Sequence, residues 1–153
     1  MELITYNQLT PLECSALDEA TKVLVHAYEP IFNFRVGACL ISQAGELISG
    51  TNFANTAYGS SICAERAAIL RANSMGIQKF ASIVIIAKDG EKSTKDVTAP
   101  CGACRQVMNE IAERSGSDLK VIMTTTERDK IMVASISELL PLAFGAKNLD
   151  IHK

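Results

Sequence analysis

Apolar positions in this chain recur with two different periods. From about residue 11 to 28, Leu12, Leu17, Ala20, Val23, Leu24 and Ala27 fall near helical spacing. Pro11 suits a first turn and Pro30 ends the pattern, so an opening helix is expected. Val36 to Ile41 and Glu46 to Phe53 are apolar segments joined by Gln43-Ala44-Gly45, a glycine-bearing link that predicts a hairpin. The run ICAERAAILRANSM follows, rich in helix formers, with Ser60 or Ser61 able to cap it and Gly76 to stop it. Ala81 to Ala87, ASIVIIA, has no polar face except one serine and predicts a central strand buried on both sides. The polar stretch DGEKSTKDVT reads as a surface loop. Pro100 opens a further helix, CGACRQVMNEIAERSG, and strand-like Leu119 to Thr124 and Ile131 to Ile136 precede a short segment around Glu138 to Phe144. Helices and strands interleave, which predicts a three-layer α/β domain.

Composition narrows the function. A chain of 153 residues with 48% hydrophobic and 21% charged content, free of repeats and long linkers, is expected to fold as one domain over 1–153. The net charge of -2, with basic residues scattered among acidic ones, offers no footprint for a phosphate backbone, which disfavours a nucleic acid polymer as substrate. No apolar run approaches the roughly 18 to 20 residues of a membrane span, and MELITYNQLT lacks the pattern of a secretion signal, so the expected location is the cytoplasm. In that reducing compartment, tightly spaced thiols bind metal more often than they form disulfides.

Of the five cysteines, Cys63, Cys101 and Cys104 stand at two expected helix starts. The two-residue gap between Cys101 and Cys104 puts both sulfurs on one side of a first turn, and Cys63 must reach them from the other helix. Unpaired N–H groups at helix N-termini favour thiolates. Three thiolates leave a tetrahedral zinc ion one position short of the closed shell of a structural site, and that position can take water. Glu65, two residues beyond a ligand, can face the same cavity and move protons. Arg66 and Arg105 each lie near a ligand and could draw charge from sulfur, with Arg66 the first choice. Cys or His, then Glu two residues on, then Pro-Cys-x-x-Cys is the pattern of zinc deaminases acting on nucleobases. A structural zinc knot, or cysteines serving as small apolar residues, leaves Glu65 without a role. Cys14 and Cys39 have core spacing only, and His26 and His152 have no partner pattern.

The segments AYEPIFNFRVGA, GTNFANTAYGSSICAERAAI, APCGACRQVMNE and SELLPLAFG resemble the cytidine deaminase family of small homotetrameric zinc enzymes, over about residues 27–144. The resemblance implies a five-stranded mixed sheet between helices, zinc on Cys63, Cys101 and Cys104, Glu65 as proton shuttle, and Arg66 softening the thiolate charge. It further implies that Phe34 and, from another subunit, Phe144 pack near the pyrimidine, that Asn52 meets the sugar, and that backbone around Ala64 and Pro100 grips the base. There are departures on the sugar side. The family's Asn-x-Glu-Asn reads Asn52-Phe53-Ala54-Asn55, and its Pro-Tyr-Ser-Asn-Phe reads Pro30-Ile31-Phe32-Asn33-Phe34. The expected activity is deamination of cytidine or deoxycytidine. The alternatives are a deaminase of a free cytosine-like base or a nucleoside analogue of the blasticidin S type, and a zinc-stabilised binding protein.

Overall fold

The computed structural model describes residues 1–149. Its centre is the apolar run, now β4 (Phe80–Asp89), flanked by antiparallel β2 (Phe34–Ser42) and parallel β6 (Lys120–Thr125). The hairpin partner β3 (Leu47–Thr51) closes one edge. At the other edge β7 (Ile131–Ser135) pairs with β6, and β1 (Glu2–Ile4) with β7. The two-residue β5 (Lys92–Ser93) pairs with β4 at Lys88 and Asp89, beyond the last β4 residue paired with β6. Among the described residues the sheet thus has seven strands in the order β1-β7-β6-β4-β2-β3 with β5 beside β4, where five were expected. The two additional strands span three and two residues, too short to show an alternating pattern, and β5 falls within the polar stretch read as a loop.

Alternation along β4 divides the core. Ile83 and Ile85 face one side with Leu40, Val121 and Met123, against α2 (Ala64–Ser74), α3 (Gly102–Ser115) and α4 (Ile136–Leu139). Val84 and Ile86 face the other side with Cys39 and Ile122, against α1 (Pro11–Lys22). Burial on both sheet faces is why β4 shows no alternating polar face. Thr10 and Glu13 form a capping box at the start of α1. That helix stops at Lys22, short of the expected 28, because the turn over Val23–His26 tightens to 3-10 geometry where β-branched Val23 and Val25 enter. Two glycines let helices close on the sheet. A Cβ on Gly37 would lie 2.0 Å from the Ala20 carbonyl oxygen of α1, and one on Gly50 would lie 2.4 Å from Ala68 N of α2.

Candidate active site

Neither serine caps α2. Ser61 Oγ instead accepts from Asn55 N (3.0 Å) in the preceding loop, and Cys63 occupies the N-cap with no side-chain cap bond. At α3 the N-cap is Cys101, one residue after Pro100, again without a side-chain cap bond. Both helix starts therefore direct free N–H groups toward the cysteine cluster, a setting that favours thiolate. Gly50 holds α2 against β3, and the link from β4 delivers α3 beside it.

The Sγ atoms of Cys63, Cys101 and Cys104 all lie within 4.8 Å of one another. Cys101 and Cys104 are 3.4 Å apart and Cys63 and Cys101 4.0 Å. These separations bracket about 3.8 Å, the edge of a tetrahedron with Zn–S bonds of about 2.3 Å. The sulfurs fit a zinc ion, and the cluster brings three protein ligands together. The hydrogen bond with Cys104 holds the Cys63 thiol down at about 5, against the opposing effect of burial, and Arg66 adds to the lowering. The neighbouring Cys63, with burial, pushes the Cys104 thiol up.

Arg66 Nη2 donates to Cys63 Sγ at 3.7 Å and to Ser61 O at 3.0 Å. Among the described residues Arg105 makes no hydrogen bond to sulfur. Its Nε and Nη1 donate to Pro100 O and Leu139 O (2.8 and 2.9 Å), tying the start of α3 to α4. Glu65 is 4% exposed, and burial first, then the nearby Cys63 charge, raises its carboxyl above the ordinary range.

Cys63, Cys101 and Glu65 line the floor of a cavity of about 570 Å³. Phe32, Phe34, Val36, Phe53 and Ile62 supply apolar wall, and Glu29, Asn52, Ser61 and Thr98 polar points. Asn52 lies in the wall, but its amide is engaged with the start of β2, accepting from Val36 N (2.8 Å) and donating to Phe34 O (2.9 Å). Ala64 is fully buried in the core behind the wall. Phe144 is 58% exposed on the C-terminal segment and lines no part of this cavity. That segment is anchored to α3 by Gln106, which donates to Phe144 O, and by Glu113, which accepts from Ala146 N. His26 is exposed, and His152 lies outside the described residues. Sequence reasoning missed Gly50 and Glu29. A glycine inside a strand pattern signals close backbone approach, whereas nothing in the spacing around Glu29 marks it.

A family profile for the cytidine and deoxycytidylate deaminase zinc-binding region matches residues 12–116. A cytidine deaminase of Halalkalibacterium halodurans is 39% identical over 134 residues, covering 88% of this chain and 95% of the relative. One from Sporosarcina psychrophila is 37% identical, with 86% and 90% covered. The crystal structure of the cytidine deaminase of Burkholderia pseudomallei superposes with a TM-score of 0.77 at 36% identity, covering 89% of this chain and all of that one. Helix-start cysteines, the buried glutamate beside them and these likenesses agree, and the chain belongs to the cytidine and deoxycytidylate deaminase family of zinc-binding proteins.

Proposed function

We propose that the protein hydrolyses the exocyclic C–N bond of cytidine and deoxycytidine, yielding uridine or deoxyuridine and ammonia. The observation that carries this reading is the placement of Glu65, a buried carboxyl on the floor of a nucleoside-sized cavity beside three convergent sulfurs. Cys63, Cys101 and Cys104 would hold a zinc ion, which when bound would supply the Lewis acidity that makes water nucleophilic near neutral pH. Glu65 takes a proton from the attacking water and delivers it to the pyrimidine N3 as the oxygen adds to C4. The remaining proton, from the hydroxyl now on C4, passes through Glu65 to the amine, which leaves as ammonia while the C4 carbonyl forms. Arg66 draws charge from Cys63, so the ligand set is less electron-rich than three bare thiolates. Phe34 packs against the base in this reading. The start of β2, tied to Asn52, holds the wall rigid, and the backbone around Ala64 and Pro100 flanks the pyrimidine.

The family likeness and the exposed apolar residues Leu142 and Phe144 support a homotetramer in which Phe144 of one subunit covers a neighbour's cavity. Three thiols that must stay reduced support action in the cytoplasm, in pyrimidine salvage. Among the described residues no helix is long and apolar enough to cross a membrane. Ammonia release by zinc-loaded protein on cytidine, deoxycytidine and cytosine tests the reading, with turnover of the nucleosides expected. Full zinc occupancy with no ammonia from any of the three would leave only a binding protein. Light scattering of wild type and Phe144→Ala tests the assembly, and a fully active monomer would refute it.

A further inference from the structure

We propose that Glu29 is the acceptor that reads a substrate hydroxyl in the part of the cavity beside Ala54, and so determines specificity for nucleosides over free bases. The inference rests on the deaminase reading above and adds to it a residue from outside both ligand-bearing helices. Among the described residues, the carboxylates lining the cavity are Glu65 and Glu29. Glu65 is committed to the floor. Glu29 comes from the connection before β2, where the backbone is laced to the opposite wall: Tyr28 N donates to Asn52 O (3.2 Å), and Ala54 N donates to Tyr28 O (2.8 Å). Tyr28 also stacks on Phe53 with ring centroids 5.0 Å apart. These contacts fix residue 29 beside Ala54, whose methyl offers no acceptor.

The carboxylate itself is oriented. Its Oε1 accepts from Ile31 N (3.2 Å) and Phe32 N (3.0 Å), and Oε2 makes no hydrogen bond among the described residues. One oxygen pinned by backbone and one left free is a preorganised acceptor, the arrangement that turns a hydroxyl into a discriminating contact. The neighbouring wall of Phe32, Phe53 and Ala54 is apolar, so a hydroxyl of the ligand placed there has Glu29 as its charged partner. A divalent cation would need several oxygen ligands, and a single half-buried carboxylate does not supply them.

Glu29→Gln is the discriminating variant, because its carbonyl oxygen can still accept from Ile31 and Phe32 while the free oxygen becomes an NH2 donor. Kinetics on cytidine, 2′,3′-dideoxycytidine and cytosine, with zinc content and melting temperature measured alongside, read the effect. The variant is expected to lose about 10- to 100-fold in kcat/KM on cytidine, the scale of a hydrogen bond to a charged group, and less than about 2-fold on the other two. Wild type should itself prefer cytidine to the dideoxy compound by a similar factor, a comparison that needs no folded variant. An equal loss on all three substrates would make Glu29 a loop-holding residue and overturn the proposal. So would a wild type indifferent to the hydroxyls, or a variant with cytidine activity intact. A wild type inactive on every substrate would instead overturn the deaminase reading. Glu29 would then fall with it for a different reason.

Discussion

Gly50→Ala should weaken zinc binding without touching any ligand. A Cβ there would lie 2.4 Å from Ala68 N and 2.9 Å from both Ala64 O and Ala68 Cα, all α2 backbone, so no side chain can swing aside. Ordinary contact begins at 3.4 Å, and the helix must retreat by about 1 Å. Overpacking of this kind costs about 1 to 3 kcal/mol, while replacing glycine returns about 0.4 to 1 kcal/mol through the unfolded chain, so destabilisation wins. A net loss near 1 to 2 kcal/mol lowers the melting temperature by about 2 to 8 °C in a domain of this size. The retreat carries Cys63 and Glu65, and a misplacement of about 1 Å in catalytic geometry can cost about 100-fold in rate. Competition against a chromogenic chelator measures zinc affinity, and ammonia release measures kcat/KM. Gly59→Ala is the control, since nothing lies within 4 Å of a Cβ there. Unchanged melting, zinc affinity and rate in Gly50→Ala would refute the claim that this contact sets the metal geometry.

Other expectations follow from the same geometry. Glu65→Gln should cut kcat by at least about 100-fold while elemental analysis still finds one zinc per chain, because an amide cannot carry the proton; near-normal turnover would remove Glu65 from the mechanism. Arg66→Gln should weaken zinc binding by about 10- to 100-fold through loss of its contact to Cys63, read by the same chelator competition, and an unchanged affinity would assign Arg66 to loop anchoring alone. For Glu13, burial raises the carboxyl, but hydrogen bonds from Lys120 and Thr10 outweigh it and hold the pKa below the ordinary value. Its stabilisation is therefore present above the unfolded-state pKa and is lost as pH falls through the lowered folded one. Glu13→Gln should flatten that acid limb of the stability curve, and melting curves with the same acid dependence as wild type would contradict this.

Legibility in the sequence tracked burial and spacing. β4 could be read because both of its faces are buried, and the metal cluster because short offsets on helix starts constrain where sulfurs point. The failures were local. Ser60 and Ser61 are good caps by type, but Ser61 accepts from Asn55 in the preceding loop and the helix starts at Ala64, four residues after Ser60. β1 and β5 are edge pairings fixed by neighbours rather than by their own residues. The place of Asn52 in the wall follows from the family resemblance, whereas the tertiary bonds that occupy its amide cannot be inferred from neighbours in sequence. Glu29 depends on a bridge between Tyr28 and Phe53, a contact between distant chain segments that leaves no periodic trace.

The parallel pairing of β4 with β6 bears on how the protein is made. Cys63 heads a helix that leads into β4, and Cys101 and Cys104 head the helix that leads from β4 to β6. Parallel neighbours register only after the intervening crossover has formed. During synthesis the three thiols therefore cannot converge until the chain has been extended through Thr125. Until then Cys101 and Cys104 are a closely spaced pair without the third sulfur, so the complete metal site forms late in synthesis rather than at the first cysteine.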